Sequence, residues 1–409
     1  KGAQESMKKP RALALLLCAC LAALPLGGCL RSQTLDESEY VLAIGFDAGD
    51  AFAYRFSFAV QRINAESSEP RAEGFTLLTA EADTLFAAIE TVCASLPHEL
   101  SFARTTMMVF DAALLEREGS LEDLLSAAME QLLIRYNASV FVSLDGAKEA
   151  LEGLTGDGAE PSLDKLQSHF LDYAAETGFL PRVNLMQLYE TLEGRCMDAA
   201  LPLMGSSEGL RRLGAGDSVG DEEYAYLGGR MLTDTALDTG VAGAALMRGG
   251  RMAGVLDGQS VQLLLLVAGG FENGGMTFPL PEGEGVLYAA VRQAGAADIE
   301  LTAGAVPRAE VRLSLRMSAM HPEELPQGLS AERMERRIEA LLTERLQRLF
   351  AACRALGTDV FGFGRVAVRQ FQSAAAWEAY DWESAFCRME AAFHVDVSLE
   401  ANEYHALLK

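Results

Sequence analysis

Two tryptophans and five histidines are scattered through 409 residues, and Lys and Arg together number 34 against 58 Asp and Glu. The formal net charge of −24 argues against a nucleic-acid binder, because phosphate contacts need Lys and Arg. It also argues against adhesion to an anionic membrane by overall charge alone. Seven cysteines are too few to staple a chain of this length in the manner of small secreted domains. The histidines, His98, His169, His321, His394 and His405, have no i, i+4 or similar ligand spacing, so no metal site is expected. There is no P-loop, and after residue 30 no apolar run approaches the length of a spanning helix.

What is present is enough apolar material, 50% of residues, to build folded cores, and a length that suits two or three domains. The first 28 residues read as a segment to be removed. Lys1 to Ser6 precede the first Met, so Met7 is the expected native start. Lys8, Lys9 and Arg11 form a basic n-region, and the apolar run 12–24 is too short to span a membrane, which takes ~20 residues. Leu26-Gly27-Gly28-Cys29 follows directly and resembles the lipobox of bacterial lipoproteins. That resemblance implies a diacylglycerol thioether on Cys29 and cleavage before it. Two or more acyl chains would anchor stably, since each buried CH₂ contributes ~0.8 kcal/mol. Removing four basic residues and Glu5 leaves 30 basic against 57 acidic side chains, a net charge of −27. Residues 29–39 are then a tether of at most ~35 Å. Of the cysteines left, Cys93 and Cys353 sit on apolar helical faces and read as small hydrophobes, while disulfides remain possible outside the cell.

The body alternates strand and helix signals, which implies an α/β (α+β) class with mixed sheets and packed helices. Residues 40–46 and 52–60 read as a strand pair. In the second, Tyr54, Phe56, Phe58 and Val60 alternate with Arg55, Ser57 and Ala59, the period of a sheet with one buried face. A polar loop follows through Arg71. Helices are expected over 83–96, from Ser120 in capping-box form, over 164–177 and over 184–192; strands over 105–110 and 138–142. The stretch 205–223, rich in Gly, Ser and charge, reads as a linker. It divides an N-terminal α/β domain (40–204) from a middle domain (224–305) and a C-terminal α/β domain (306–409). Strands are expected over 226–233, 241–247, 286–293, 311–317 and 393–399, with a short helix over 258–268. The clearest helix is 331–356, with Ser330 to cap its start and Gly357 its end. The aromatic turn Phe361-Gly362-Phe363-Gly364 then leads into an expected strand over 365–369.

Few residues invite chemistry. Gly205-Ser206-Ser207-Glu208-Gly209 matches G-x-S-x-G, but a nucleophile elbow needs a strand before it and a helix after it, and this copy falls in the expected linker. Gly214-Ala215-Gly216 fails the dinucleotide spacing. Trp377 and Trp382 flank Tyr380; a ligand-stacking platform is conceivable, and packing against the long helix is the favoured reading. No catalytic residue, metal or cofactor is expected.

Several segments, in order, resemble the Ger(x)C family, the lipoprotein C subunits of spore germinant receptors. Cys29 matches the family's lipid site, and Leu42-Ala43-Ile44-Gly45-Phe46-Asp47 resembles its first-strand "AIGxD" signature. The segment from Leu96 to Arg104 is similar to its helix-to-strand connection, with His98 and Arg104 where the family usually has Arg and His. Asp359-Val360-Phe361-Gly362-Phe363-Gly364 resembles the "D-x-x-G-x-G" after its long helix, with Trp377 and Trp382 following. A Gly usual near the end of the last strand is replaced by Ala401-Asn402-Glu403. The resemblance implies a non-catalytic, three-domain α/β lipoprotein of the spore inner membrane. Its implied partners are two integral membrane subunits, A and B, with which it triggers germination when nutrients bind. A solute-binding lipoprotein of a membrane transporter is the alternative; it would need two similar lobes around a cleft, and the two halves read as unlike.

Overall fold

In the computed structural model the described residues are 38–61, 74–131, 134–154, 162–212, 237–280, 285–321 and 329–400. The chain begins with β1 (Ser38–Ala48), β2 (Tyr54–Gln61) and β3 (Phe75–Ala82), then α1 (Leu85–Cys93), β4 (Glu99–Ser101), β5 (Met107–Asp111), α2 (Ala112–Leu115), α3 (Ser120–Gln131) and β6 (Ser139–Ser143). Next come α4 (Ala147–Glu152), α5 (Leu163–Thr177), α6 (Leu185–Gly194), β7 (Ala200–Ser206), α7 (Ser207–Arg212), β8 (Thr239–Arg248) and β9 (Arg251–Leu256). These strands form one nine-stranded sheet in the order β3-β2-β1-β5-β6-β7-β8-β9, with β4 also pairing β1. β1, β5, β6 and β7 run parallel at its centre, and the outer strands are antiparallel. The 205–223 stretch does not end the sheet: β7 pairs with β8 from its far side.

Both faces of this sheet are covered, and the sequence shows why. β5 and β6 read as unbroken apolar runs, which suits strands buried on both sides. On one face Ile44, Phe46, Phe56 and Phe58 pack against Leu85 and Val92 of α1, Leu121 and Leu124 of α3, and Leu185 and Leu188 of α6. Phe46 stacks on Phe110 with ring centroids 4.5 Å apart. On the other face Ala43, Met107, Val109 and Phe141 meet Ala147 and Leu151 of α4 and Leu163 and Phe170 of α5. The single buried face expected for β2 is therefore a correction: Ser57 and Ala59 are fully buried as well, because α4 lies over them. In α1 it is Leu85, Ala88 and Val92 that are buried, while Phe86 is exposed. β3 carried no clear strand signal in the sequence.

The chain continues through α8 (Gly258–Ala268), β10 (Asn273–Pro279), β11 (Val286–Gln293), β12 (Asp298–Thr302), β13 (Arg308–His321) and α9 (Ala331–Leu356). It ends in α10 (Phe363–Ala367), a 3₁₀ turn (Val368–Gln370), α11 (Ala374–Tyr380), α12 (Trp382–Phe386) and β14 (Glu390–Glu400). The second sheet runs β10-β11-β13-β12 antiparallel, with β14 parallel to β13. One face packs on α8 and α9; the other is solvated, with Arg312 bridging Asp298, Glu300 and Glu310. Along β13, Val311, Leu313, Leu315 and Met317 are buried and Arg312, Ser314 and Arg316 exposed, as the alternation predicted. α9 matches its predicted span, with Ser330 accepting from the Arg333 N–H and Gly357 left-handed at its end. α8 is buried almost all round, the mark of a helix inside a core. It joins Leu246 and Leu256 of the first sheet to Leu287 and Val291 of the second in one cluster.

Two further expectations are corrected. Residues 365–369 are not a strand: they lie in α10 and the 3₁₀ turn. The β-branched pattern there is overridden by a buried carboxylate, described below, that caps the start of α10. The G-x-S-x-G segment is not a loop: Gly205 and Ser206 end β7 and Ser207 opens α7. The strand expected over 226–233 lies outside the described residues.

Candidate functional site

The two aspartates of the signature segments are each aimed at a helix start. Asp47 stands near the C-terminal end of β1, where the first turn of α4 arrives. Its Oδ1 accepts the Ala147 N–H at 2.6 Å and its Oδ2 the Lys148 N–H at 3.0 Å. These are donors that a helix cannot satisfy internally. Gly45 lets α4 lie close on the strand: a Cβ there would stand 3.1 Å from Leu151 Cδ1 and 3.3 Å from Ala147 Cβ. Burial pushes the Asp47 carboxyl up to about 6, against the pull of both N–H bonds.

Asp359 is enclosed more completely. Oδ1 accepts the N–H groups of Gly362 and Phe363, each at 3.1 Å. Oδ2 accepts the Gly364 N–H at 2.7 Å and Trp382 Nε1–H at 3.0 Å. The glycines of D-x-x-G-x-G follow from this geometry. Gly362 has φ of +77°, a region costly for residues with a Cβ. At Gly364 a Cβ would fall 2.1 Å from the Cys196 carbonyl oxygen. Burial pushes the Asp359 carboxyl up to about 7; the N–H bonds oppose that shift. Trp377 and Trp382 stack at 5.7 Å within the core cluster that includes α9, so the aromatic pair packs rather than standing open.

Asp198, which no sequence signal marked, joins this cradle to the first sheet. Its N–H donates to the Asp359 carbonyl at 2.9 Å, and its Oδ2 accepts the Asp359 N–H at 2.7 Å. Its Oδ1 accepts the Gly249 N–H of the β8–β9 turn at 2.8 Å. Burial raises its carboxyl as well. Both oxygens of Asp47, Asp198 and Asp359 thus hold backbone, and the arrangement suits joints between segments rather than acid–base work on a substrate.

A cleft of about 1020 Å³ opens beside these joints, between α5, α6 and α8. Asn184, Gln187, Glu190, Cys196, Leu264 and Arg365 are on its wall. Cys196 donates its S–H to the Gly194 carbonyl at 3.0 Å, and burial pushes its thiol up, away from nucleophilic character. In the G-x-S-x-G turn the Ser206 N–H donates to Asp145 Oδ2 at 2.6 Å and Ser206 Oγ accepts the Gly209 N–H at 3.0 Å. His98, in the bend before β4, His169 on α5 and His394 on β14 are all exposed. Among the described residues no group of three or more His, Cys, Asp or Glu side chains could hold a metal ion. Cys93, Cys196, Cys353 and Cys387 are all unbridged. Cys29 lies outside the described residues, and no described helix is long and apolar enough to cross a membrane.

Two mixed sheets joined at buried, backbone-capping aspartates make an α/β body that has a counterpart among solved structures. The structure titled "Crystal Structure of the GerBC protein" matches with a TM-score of 0.51 at 10% identity, over 87% of this chain and 96% of that one. The family model "Spore germination protein N-terminal domain" matches residues 31–206, and "Spore germination B3/ GerAC like, C-terminal" matches 242–402. The chain belongs to the Ger(x)C family of spore germination proteins. No curated protein matches it in sequence.

Proposed function

We propose that this chain is the non-catalytic lipoprotein subunit of a spore nutrient-germinant receptor. It is held on the extracytoplasmic face of the spore inner membrane through Cys29. There it assembles with integral membrane A and B subunits, and the assembly triggers germination. The observation that carries the non-catalytic reading is the use of Asp47, Asp198 and Asp359: each carboxylate accepts two or more N–H bonds from the chain itself. Support for the anchor is the run of n-region, apolar segment and Leu26-Gly27-Gly28-Cys29. Two unlike halves, an α/β layer structure and a largely antiparallel sheet, favour a scaffold over a two-lobed solute binder. Cys29→Ala should shift the protein from the membrane fraction to the soluble one and impair nutrient-triggered germination. Full membrane retention of that variant would contradict the anchor.

A further inference from the structure

The first sheet has two unlike ends. At one end, β1 turns into β2 through a hairpin surrounded by Asp50, Glu81 and Asp83, which bind Arg55 and the N–H groups of Ala51 and Ala53. Phe52 is 52% exposed there. At the other end, the parallel strands begin. Thr106 N–H donates to the Leu42 carbonyl and Ser139 N–H to the Thr106 carbonyl, so β5 and β6 start level with each other beside Ala43, and β1 runs on past them toward Ser38. This second end is also where the chain from Cys29 arrives, because β1 starts at Ser38. Nine residues of chain reach at most ~32 Å.

At the arriving end two arginines stand together among acids. Arg104 and Arg135 line one polar hollow of about 310 Å³ with Thr106, Asn137, Gln167 and Ser168. Arg104 lies over the Tyr40 ring at 5.0 Å and donates to Gln61 Oε1 at 2.8 Å; Arg135 Nε–H donates to the Ala103 carbonyl at 2.9 Å. Each guanidinium carries five N–H donors, so these contacts aim it without exhausting it. Asp164 is the acid in that hollow and accepts from Thr106 Oγ1 at 3.4 Å; Glu39 and Glu99 stand on the neighbouring strands β1 and β4. Beside the arginines, Tyr136 is 61% exposed and Met186 38% exposed, joined by the Met186 N–H to Tyr136 carbonyl bond at 3.1 Å. An exposed tyrosine and methionine beside two arginines are suited to a membrane interface, where aromatic rings sit at headgroup level and cations meet phosphate.

We infer that this end of the sheet docks on the membrane, with Arg104 and Arg135 holding the phosphate of anionic phospholipid headgroups and Tyr136 and Met186 seated among them. The inference rests on the lipid-anchor reading of Cys29, which fixes which end of the body is brought to the bilayer. The acidic hairpin end then faces away. Overall charge repels the leaflet, and this local patch sets the orientation in which the body can approach.

The test uses the full chain carrying Tyr136→Trp or Phe52→Trp. The vesicles are phosphatidylcholine alone or an equal mixture with phosphatidylglycerol, with brominated acyl chains as quencher. The native Trp377 and Trp382 are buried and give a constant background. On mixed vesicles the Tyr136→Trp chain should be quenched and the Phe52→Trp chain should not. In a Cys29→Ala chain, where no lipid holds the body, adding Arg104→Glu and Arg135→Glu should weaken vesicle binding by more than about 30-fold, since losing each arginine near an anionic surface costs a factor of about five and each glutamate adds repulsion. Arg104→Lys with Arg135→Lys should retain it, which separates charge from folding. Equal quenching at both positions, quenching at Phe52→Trp alone, or binding unmoved by charge reversal would overturn the inference. The mass of Cys29 in the same preparation reads the anchor separately. A lipidated chain without quenching at position 136 loses the docking face and keeps the anchor. An unlipidated chain still quenched there on mixed vesicles keeps the face and loses the anchor.

Discussion

At the scale of single residues, buried carboxylates hold the fold. Asp359→Ala would leave four N–H donors facing a void, and such losses cost roughly 3–5 kcal/mol. Urea unfolding should show a midpoint lowered accordingly, and an unchanged midpoint would deny the cradle its role. Asp47 sets a pH dependence. Its folded carboxyl is pushed up to about 6, so it binds a proton at higher pH folded than unfolded. Its contribution to stability is therefore complete below the ordinary carboxylate range and is lost as pH rises through about 6. The melting temperature should fall across that window in the native chain and fall less in Asp47→Asn. The motif positions of both aspartates were legible in the sequence, since Gly45-x-Asp47 and Asp359-x-x-Gly362-x-Gly364 stand out as patterns. Asp198 was not: a lone Asp between two apolar-leaning segments has no local signature, and its partners are Gly249 and Asp359, far along the chain.

Elements with strong local period are legible in the sequence for the same reason that they are stable. α9 has its apolar residues at helical spacing, a serine cap and a glycine stop, and no tertiary contact has to override them. The alternation of β13 and β14 survives because one face of the second sheet is solvated. Where the sheet is covered on both sides the alternation of β2 misled, and where a distant carboxylate supplies a cap the run 365–369 became helix. One device at this scale has a direct test. β14 pairs β13 on one edge, and along its other edge Glu339 Oε1 accepts the Val397 N–H at 3.1 Å and Glu335 Oε1 the Leu399 N–H at 2.8 Å. Two carboxylates on α9 thus stand in for a missing strand. Unprotected edges template association with other chains. Glu335→Ala with Glu339→Ala should destabilise the chain by about 1–3 kcal/mol and promote concentration-dependent association in light scattering. A monodisperse, equally stable double variant would refute the edge-capping role.

For the molecule as a whole, the α/β class was legible, but the way its halves join was not. The stretch read as a linker begins inside β7 and α7, and the first sheet continues beyond it through β8 and β9. Sheet pairing across such a distance leaves no periodic trace, whereas a cluster of Gly and Ser does. α8 then ties the cores together. A body so jointed suits the receptor-subunit role proposed above. The central claim is tested most directly by purifying the affinity-tagged full chain from detergent-solubilised spore inner membranes. The expected result is co-purification of two integral membrane subunits at constant ratio. Recovery of the chain alone, together with normal nutrient-triggered germination in spores lacking it, would contradict the claim.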